Sequence, residues 1–160
     1  MAIETLYEKD GSLQALADKT VAVIGYGSQG HAHAQNLRDS GVSVIVANRR
    51  ESDNGQRAIE HGFDPMPVED AVQQGDVLII TLPDEAQPDV WEKKIKPNLS
   101  PGMTLGATHG FNVHFNTIQP PEDINVVMVA PKGPGHTVRS EFERGGGVPC
   151  LIAVQQDATG

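Results

Sequence analysis

The chain's residue pattern predicts an α/β fold: a doubly wound, mainly parallel sheet with helices on both faces. Three observations carry that prediction. Six short apolar runs recur along the chain, helical patterns separate the first three, and a glycine-rich turn follows the first run directly. At 160 residues the chain suffices for one domain with a real core and is too short for two of ordinary size, so residues 1–160 are read as one domain.

The first strand is expected over Thr20–Ile24 (TVAVI), a β-branched run bounded by lysine and glycine. Val42–Ala47 (VSVIVA) predicts a second and Asp76–Leu82 (DVLIITL) a third. Met103–Ala107 (MTLGA) makes a weaker fourth, Asn125–Val129 (NVVMV) a fifth and Cys150–Val154 (CLIAV) a sixth. Gly30–Ser40 carries Ala34 and Leu37 at helical spacing, and Gln56–His61 and Val68–Gln74 frame two further helical pieces. The breaker-rich stretch Ala130–Pro149, with APKGPGH and then RGGGVP, is expected to be a long loop.

Composition excludes several classes of function. Hydrophobic residues at 38% and charged residues at 21% are those of a globular protein. A net charge of -9 argues against the basic face that a nucleic-acid backbone requires. No window approaches the roughly 18 apolar residues of a membrane span, and MAIETLYEKDGSL lacks the apolar core of a secretory signal. The single cysteine, Cys150, has no partner for an internal disulfide, and its setting in VPCLIAV predicts burial. A cytoplasmic protein is the expectation.

Chemistry enters at Gly25-Tyr26-Gly27-Ser28-Gln29-Gly30. GxGxxG alone is weak, but here it follows a strand, opens a helix and is followed by a second strand about 20 residues on. Gly25 permits a tight turn, Gly27 lets a pyrophosphate approach the backbone, and Gly30 lets helix and strand pack closely. The first-turn N–H groups then face the phosphates. This is a Rossmann-like dinucleotide fingerprint.

The second strand runs into Asn48-Arg49-Arg50-Glu51-Ser52, where an NAD site usually carries an acidic residue for the ribose. Arg49, Arg50 and Ser52 suit a 2'-phosphate, because guanidinium offers a planar fork and serine one more donor. NADP(H) is therefore favoured, although Glu51 and Asp53 are close enough to turn toward a ribose and leave NAD(H) open. His31 and His33 invite a metal reading, yet residues two apart on a helix point about 200° away from each other. Packing at the helix start is their expected role, and no metal ligands are assigned.

The third strand ends in Leu82-Pro83-Asp84-Glu85-Ala86-Gln87, at the carboxyl edge where ligands collect in such sheets. Asp84 and Glu85 can alternatively cap the next helix. His109 follows the fourth strand at the same edge, within LGATHGFNVHF, and is the candidate for proton chemistry beside a nicotinamide. A lone histidine is more often structural than catalytic, and that alternative applies to His109 as it does to His114 and His136.

The runs GYGSQGHAHAQNLRDSG (Gly25–Gly41), LPDEAQ (Leu82–Gln87), HGFNVHF (His109–Phe115) and VMVAPKGPGHTVRSEFERGGGVPCLIAVQQDATG (Val127–Gly160) closely resemble the ketol-acid reductoisomerases, over nearly the whole chain. The match is to that family's N-terminal NADP-binding domain. The resemblance implies a Mg2+-dependent alkyl shift in 2-acetolactate or 2-aceto-2-hydroxybutyrate, followed by NADPH reduction, in the biosynthesis of valine and isoleucine. It implies cofactor contacts from Tyr26, Ser28, Gln29, Arg49, Ser52, Asp84 through Gln87, and Gly135 in PKGPG, with His109 at the reacting centre beside substrate and a metal-bound water. Asn54 departs from the family, where many members carry a second phosphate-binding serine. The family's magnesium ligands, substrate pocket and homo-oligomer core belong to a helical C-terminal domain absent from these residues. The chain is thus expected to bind NADP(H) and to be inactive alone. Two rival readings are a hydroxyacid dehydrogenase domain and a non-catalytic nucleotide-binding module.

Overall fold

The computed structural model describes residues 4–160. Two 3-10 turns, Glu8–Asp10 and Leu13–Leu16, lead into β1 (Thr20–Ile24). There follow α1 (Ser28–Asp39), β2 (Ser43–Ala47), α2 (Asp53–Glu60), α3 (Val68–Gln74) and β3 (Val77–Ile80). A short α4 (Gln87–Val90) continues through a π turn and a 3-10 turn to Asn98, ahead of β4 (Thr104–Ala107). The chain closes with α5 (Phe111–His114), β5 (Asn125–Pro131), α6 (Gly135–Glu143) and β6 (Cys150–Gln156).

The six strands form one sheet in the order β2-β1-β3-β4-β5-β6, parallel throughout except for the antiparallel pair β5/β6. Period-two alternation splits β1 between two cores. Ala22 and Ile24 pack on one face with Leu78, Ile80, Leu105, Ala71 of α3, and Trp91; Val21 and Val23 pack on the other with Val46, Ala34 of α1 and Ala58 of α2. Both faces of the central strands are therefore covered by helices. That coverage lets strands apolar on both sides persist in water, each fully buried Ile or Leu contributing about 1.5–3 kcal/mol. Because β1 has β2 on one side and β3 on the other, the connections diverge there, and a crevice opens beyond the carboxyl ends of β1 and β3.

All six expected strands are present, with bounds shifted by up to two residues. Helix α2 begins three residues earlier than its apolar pattern, because Ser52 caps it by accepting from Gly55 N. The helix expected after Leu82–Gln87 is present over Gln87–Asn98, with Pro88 and Pro97 near element starts. Two expectations are corrected. Ala130–Pro149 is not a continuous loop: α6 occupies Gly135–Glu143, since its prolines and glycines flank rather than interrupt GHTVRSEFE, which carries Val138 and Phe142 at i, i+4. Cys150 is exposed rather than buried. It opens an edge strand whose apolar residues face outward, with Ile152 60% and Val154 70% exposed, because the helices collect over the other end of the sheet.

Candidate functional site

The turn after β1 is built by close contacts. Gly25 adopts φ +98°, and a Cβ there would lie 3.0 Å from Leu82 Cδ2 and from Thr81 Oγ1. At Gly30 a Cβ would lie 2.2 Å from Gly25 O, so α1 meets the strand end at a distance only glycine allows. Gly27 is different. It has φ −79°, and a Cβ would meet nothing within 4 Å. Neither packing nor backbone conformation demands glycine there, so the space it leaves belongs to a cleft.

That cleft has a volume of about 400 Å3. Gly25 through Gln29 form its floor, Thr81 through Asp84 one wall, Asn48 and Asn54 the end by β2, and Thr108 and His109 the end by β4. The N-terminus of α1 opens at this floor with no side chain capping it. Its first N–H groups and the helix dipole thus lack an anionic partner from the protein's own side chains.

Several predicted residues serve the framework. Tyr26 is fully buried beneath the turn, and its hydroxyl hydrogen-bonds with His61 Nδ1 over 2.9 Å. Burial pushes the phenol up to about 12 and the His61 imidazole below its ordinary value, so both partners stay neutral. Ser28 Oγ accepts from Gly135 N (3.2 Å), and the Gln29 amide donates to Gly133 O (2.9 Å). His33 Nε2 lies 3.1 Å from Gln29 Oε1, and His31 Nδ1 lies 3.0 Å from Gly27 O. The two histidines brace the helix start along different directions, as their spacing predicts. Gly135 lies outside the cleft and seats α6 on Ser28.

At the β2 end, Ser52 is engaged three ways. Its hydroxyl donates to Arg49 O (2.7 Å) and accepts from Gly55 N and from Asn48 Nδ2. Arg50 pairs with Asp64, whereas Arg49 is exposed and has no ion pair among the described residues. Of the two arginines, Arg49 is the free cation. Glu85 is exposed, and Ala86 is the N-cap of α4 with no side-chain cap, so Asp84 and Glu85 do not cap that helix.

Asp84 instead turns to the β4 end. Its Oδ2 lies 3.0 Å from His109 Nδ1, with the imidazole 65% exposed and lying parallel to Phe111 at 6.4 Å between centroids. With Nδ1 held by the carboxylate, Nε2 is the ring nitrogen left to face a ligand. Thr81, which donates toward Ile24 O and Gly25 O, and Thr108, which donates to Ile80 O, are site residues sequence reasoning missed. Their position just past a strand's carboxyl end was the available signal. Among the described residues no group of three or more His, Cys, Asp or Glu side chains is arranged to hold a metal ion. Among the described residues no helix is long and apolar enough to cross a membrane.

The fold, the glycine turn and the cleft at the switch point define a dinucleotide-binding domain of Rossmann type. A family model described as the acetohydroxy acid isomeroreductase NADPH-binding domain matches residues 15–160. An NADH-preferring ketol-acid reductoisomerase from an uncultured archean is 44% identical, with a TM-score of 0.95 over 98% of this chain and 49% of that one. The chain belongs to the ketol-acid reductoisomerase (acetohydroxy acid isomeroreductase) family and corresponds to its NADPH-binding domain, spanning about half the length of that structure. A Mycobacterium tuberculosis 3-hydroxyisobutyrate dehydrogenase (18% identity, TM-score 0.66, 87% of this chain and 47% of that one) and a Pseudomonas imine reductase (16%, 0.63, 88% and 49%) share the fold.

Proposed function

We propose that this domain binds NADPH in preference to NADH and serves a ketol-acid reductoisomerase acting on 2-acetolactate or 2-aceto-2-hydroxybutyrate. The observation that carries the cofactor reading is Gly27, a glycine that no protein contact requires, lying at the uncapped N-terminus of α1. There the backbone N–H groups would take the pyrophosphate. The preference for NADPH rests on Arg49, an unpaired guanidinium at the end of β2, and on the lack of an acidic residue at Asn48. The NADH-preferring relative makes this the point to test first.

A nicotinamide held in this cleft would supply hydride. The chain's own part is to hold a proton nearby: Asp84 accepts from His109 Nδ1, which keeps the Nε2 lone pair available to a substrate hydroxyl, and the carboxylate stabilises the imidazolium once that proton is taken. No group of three or more His, Cys, Asp or Glu among the described residues is arranged to hold Mg2+, and residues 1–160 alone are proposed to bind cofactor without completing the reaction. A cytoplasmic homo-oligomer is the setting this reading implies.

Titrating the chain with NADPH and with NADH, by quenching of its fluorescence and by calorimetry, tests the reading. Tighter binding of NADPH supports it. No binding of either nucleotide overturns it, and NADPH oxidation by the isolated chain with Mg2+ and 2-acetolactate overturns the assigned inactivity.

A further inference from the structure

Asn112 lies on α5, away from the cleft, and is 2% exposed. A buried amide of this kind is retained where its hydrogen bonds are met, and here both ends are. The Thr117 hydroxyl donates to Asn112 Oδ1, which fixes the amide's direction and turns Nδ2 toward the β3–α4 loop. Nδ2 then donates to Asp84 O (3.1 Å), to Asp84 Oδ1 (3.3 Å) and to Gln87 Oε1 (3.1 Å). Gln87, itself buried, is oriented by donating to Leu82 O at 2.7 Å. Asp84 is thus gripped on its main-chain oxygen and on one carboxylate oxygen, leaving Oδ2 for His109 Nδ1.

We infer that Asn112 is a positioning residue for His109: by holding Asp84 Oδ1 it presents Oδ2 to Nδ1 and so selects the His109 tautomer whose Nε2 is unprotonated. The inference rests on the reading of His109 as the proton-handling group. A carboxylate on a loop, 35% exposed, would otherwise sample rotamers in which water replaces the imidazole. Asn112 removes that freedom from within the core, as outer-shell partners orient a histidine in other sites. The signal lies in HGFN itself, where the asparagine follows the histidine by three residues on a short helix.

The test is nitrogen-15 NMR of the histidine side chains in this chain, which reads the His109 tautomer without any turnover. In the unsubstituted protein at neutral pH the Nδ1–H form of neutral His109 is expected to be enriched. In Asn112→Leu the ratio of Nδ1–H to Nε2–H is expected to fall by roughly two- to tenfold, the equivalent of one hydrogen bond. Asn112→Asp keeps the size and the acceptor for Thr117 but removes the donor, and it decides the matter if the leucine variant does not fold. An unchanged ratio in either folded variant overturns the inference. A measurement on the unsubstituted chain stands independently: the Asn112 Nδ2 protons should be protected from exchange. Exchange at the rate of an exposed asparagine overturns it. Because nucleotide titration plays no part in these readouts, NADPH binding with an unchanged tautomer defeats this inference alone, and a changed tautomer without NADPH binding defeats only the cofactor reading.

Discussion

Gly135 and Ser28 are in such close approach that a Cβ on Gly135 would lie 1.4 Å from the Ser28 carbonyl oxygen. The contact joins α6 to the first turn of α1 across more than 100 residues of sequence, and three groups reinforce it: Ser28 Oγ with Gly135 N, Gln29 with Gly133 O, and Arg139 with Asn36 and Asp39. The PKGPG segment thereby supports the glycine turn from behind.

Gly135→Ala must push α6 away, and it is expected to lower stability by about 3 kcal/mol, in the range of overpacking in a rigid contact. Gly147→Ala meets open space and is expected to stay within about 0.5 kcal/mol of the parent. Urea unfolding of the two variants checks the contrast, and equal stabilities would remove the close contact from the argument.

Gly27→Ala separates ligand from fold. With φ −79° and no neighbour for the new methyl, its melting temperature should match the parent's. NADPH affinity should fall tenfold or more, about 1.4 kcal/mol, as the methyl enters the path of the pyrophosphate. Retained affinity would mean that the cofactor does not lie against this turn.

Arg49→Ala is expected to weaken NADPH binding by about 1 to 3 kcal/mol and NADH binding by less, as befits loss of a charge-assisted contact to the 2'-phosphate. Arg50→Ala should do less, because its guanidinium is already paired with Asp64. Equal losses for the two nucleotides would show that Arg49 does not read the phosphate.

Acid should destabilise the domain before any carboxylate titrates. Burial is the leading cause that holds His33 and His61 below the ordinary histidine value, with the nearby His31 adding to it. The unfolded chain therefore binds more protons near pH 6. Their contribution is fully present above about pH 6.5 and is lost as pH falls through that value toward their folded pKa values. Thermal melts at pH 7.5 and 5.5 should show a lower midpoint in acid, and His61→Gln should flatten part of that slope. A midpoint that is level or higher at pH 5.5 would contradict this account.

Much of the site was legible in the sequence because it depends on local rules. Gly25 and Gly30 sit where a sharp turn and a close helix demand them, and the strand ends at Thr20–Ile24 and Asn125 follow from β-branched runs. Less legible was anything decided by partners distant in sequence. Ser52 reads as a phosphate donor, yet it caps α2; Tyr26 reads as a cofactor contact, yet its hydroxyl belongs to His61.

By itself, then, the sequence determined the six strands, the helices between the first three, the glycine turn and the family, since each is written in residues a few positions apart. Only the tertiary structure decided which arginine is free, why Gly135 is glycine, that Cys150 lies on an open edge, and that Asp84 turns from α4 to His109. The physical reason is common to the arginines, Gly135 and Asp84, whereas Cys150 is exposed because the helices collect over the other end of the sheet. A hydrogen bond, an ion pair or a close contact needs two partners at about 3 Å, and here they meet only when the sheet brings the ends of different strands together.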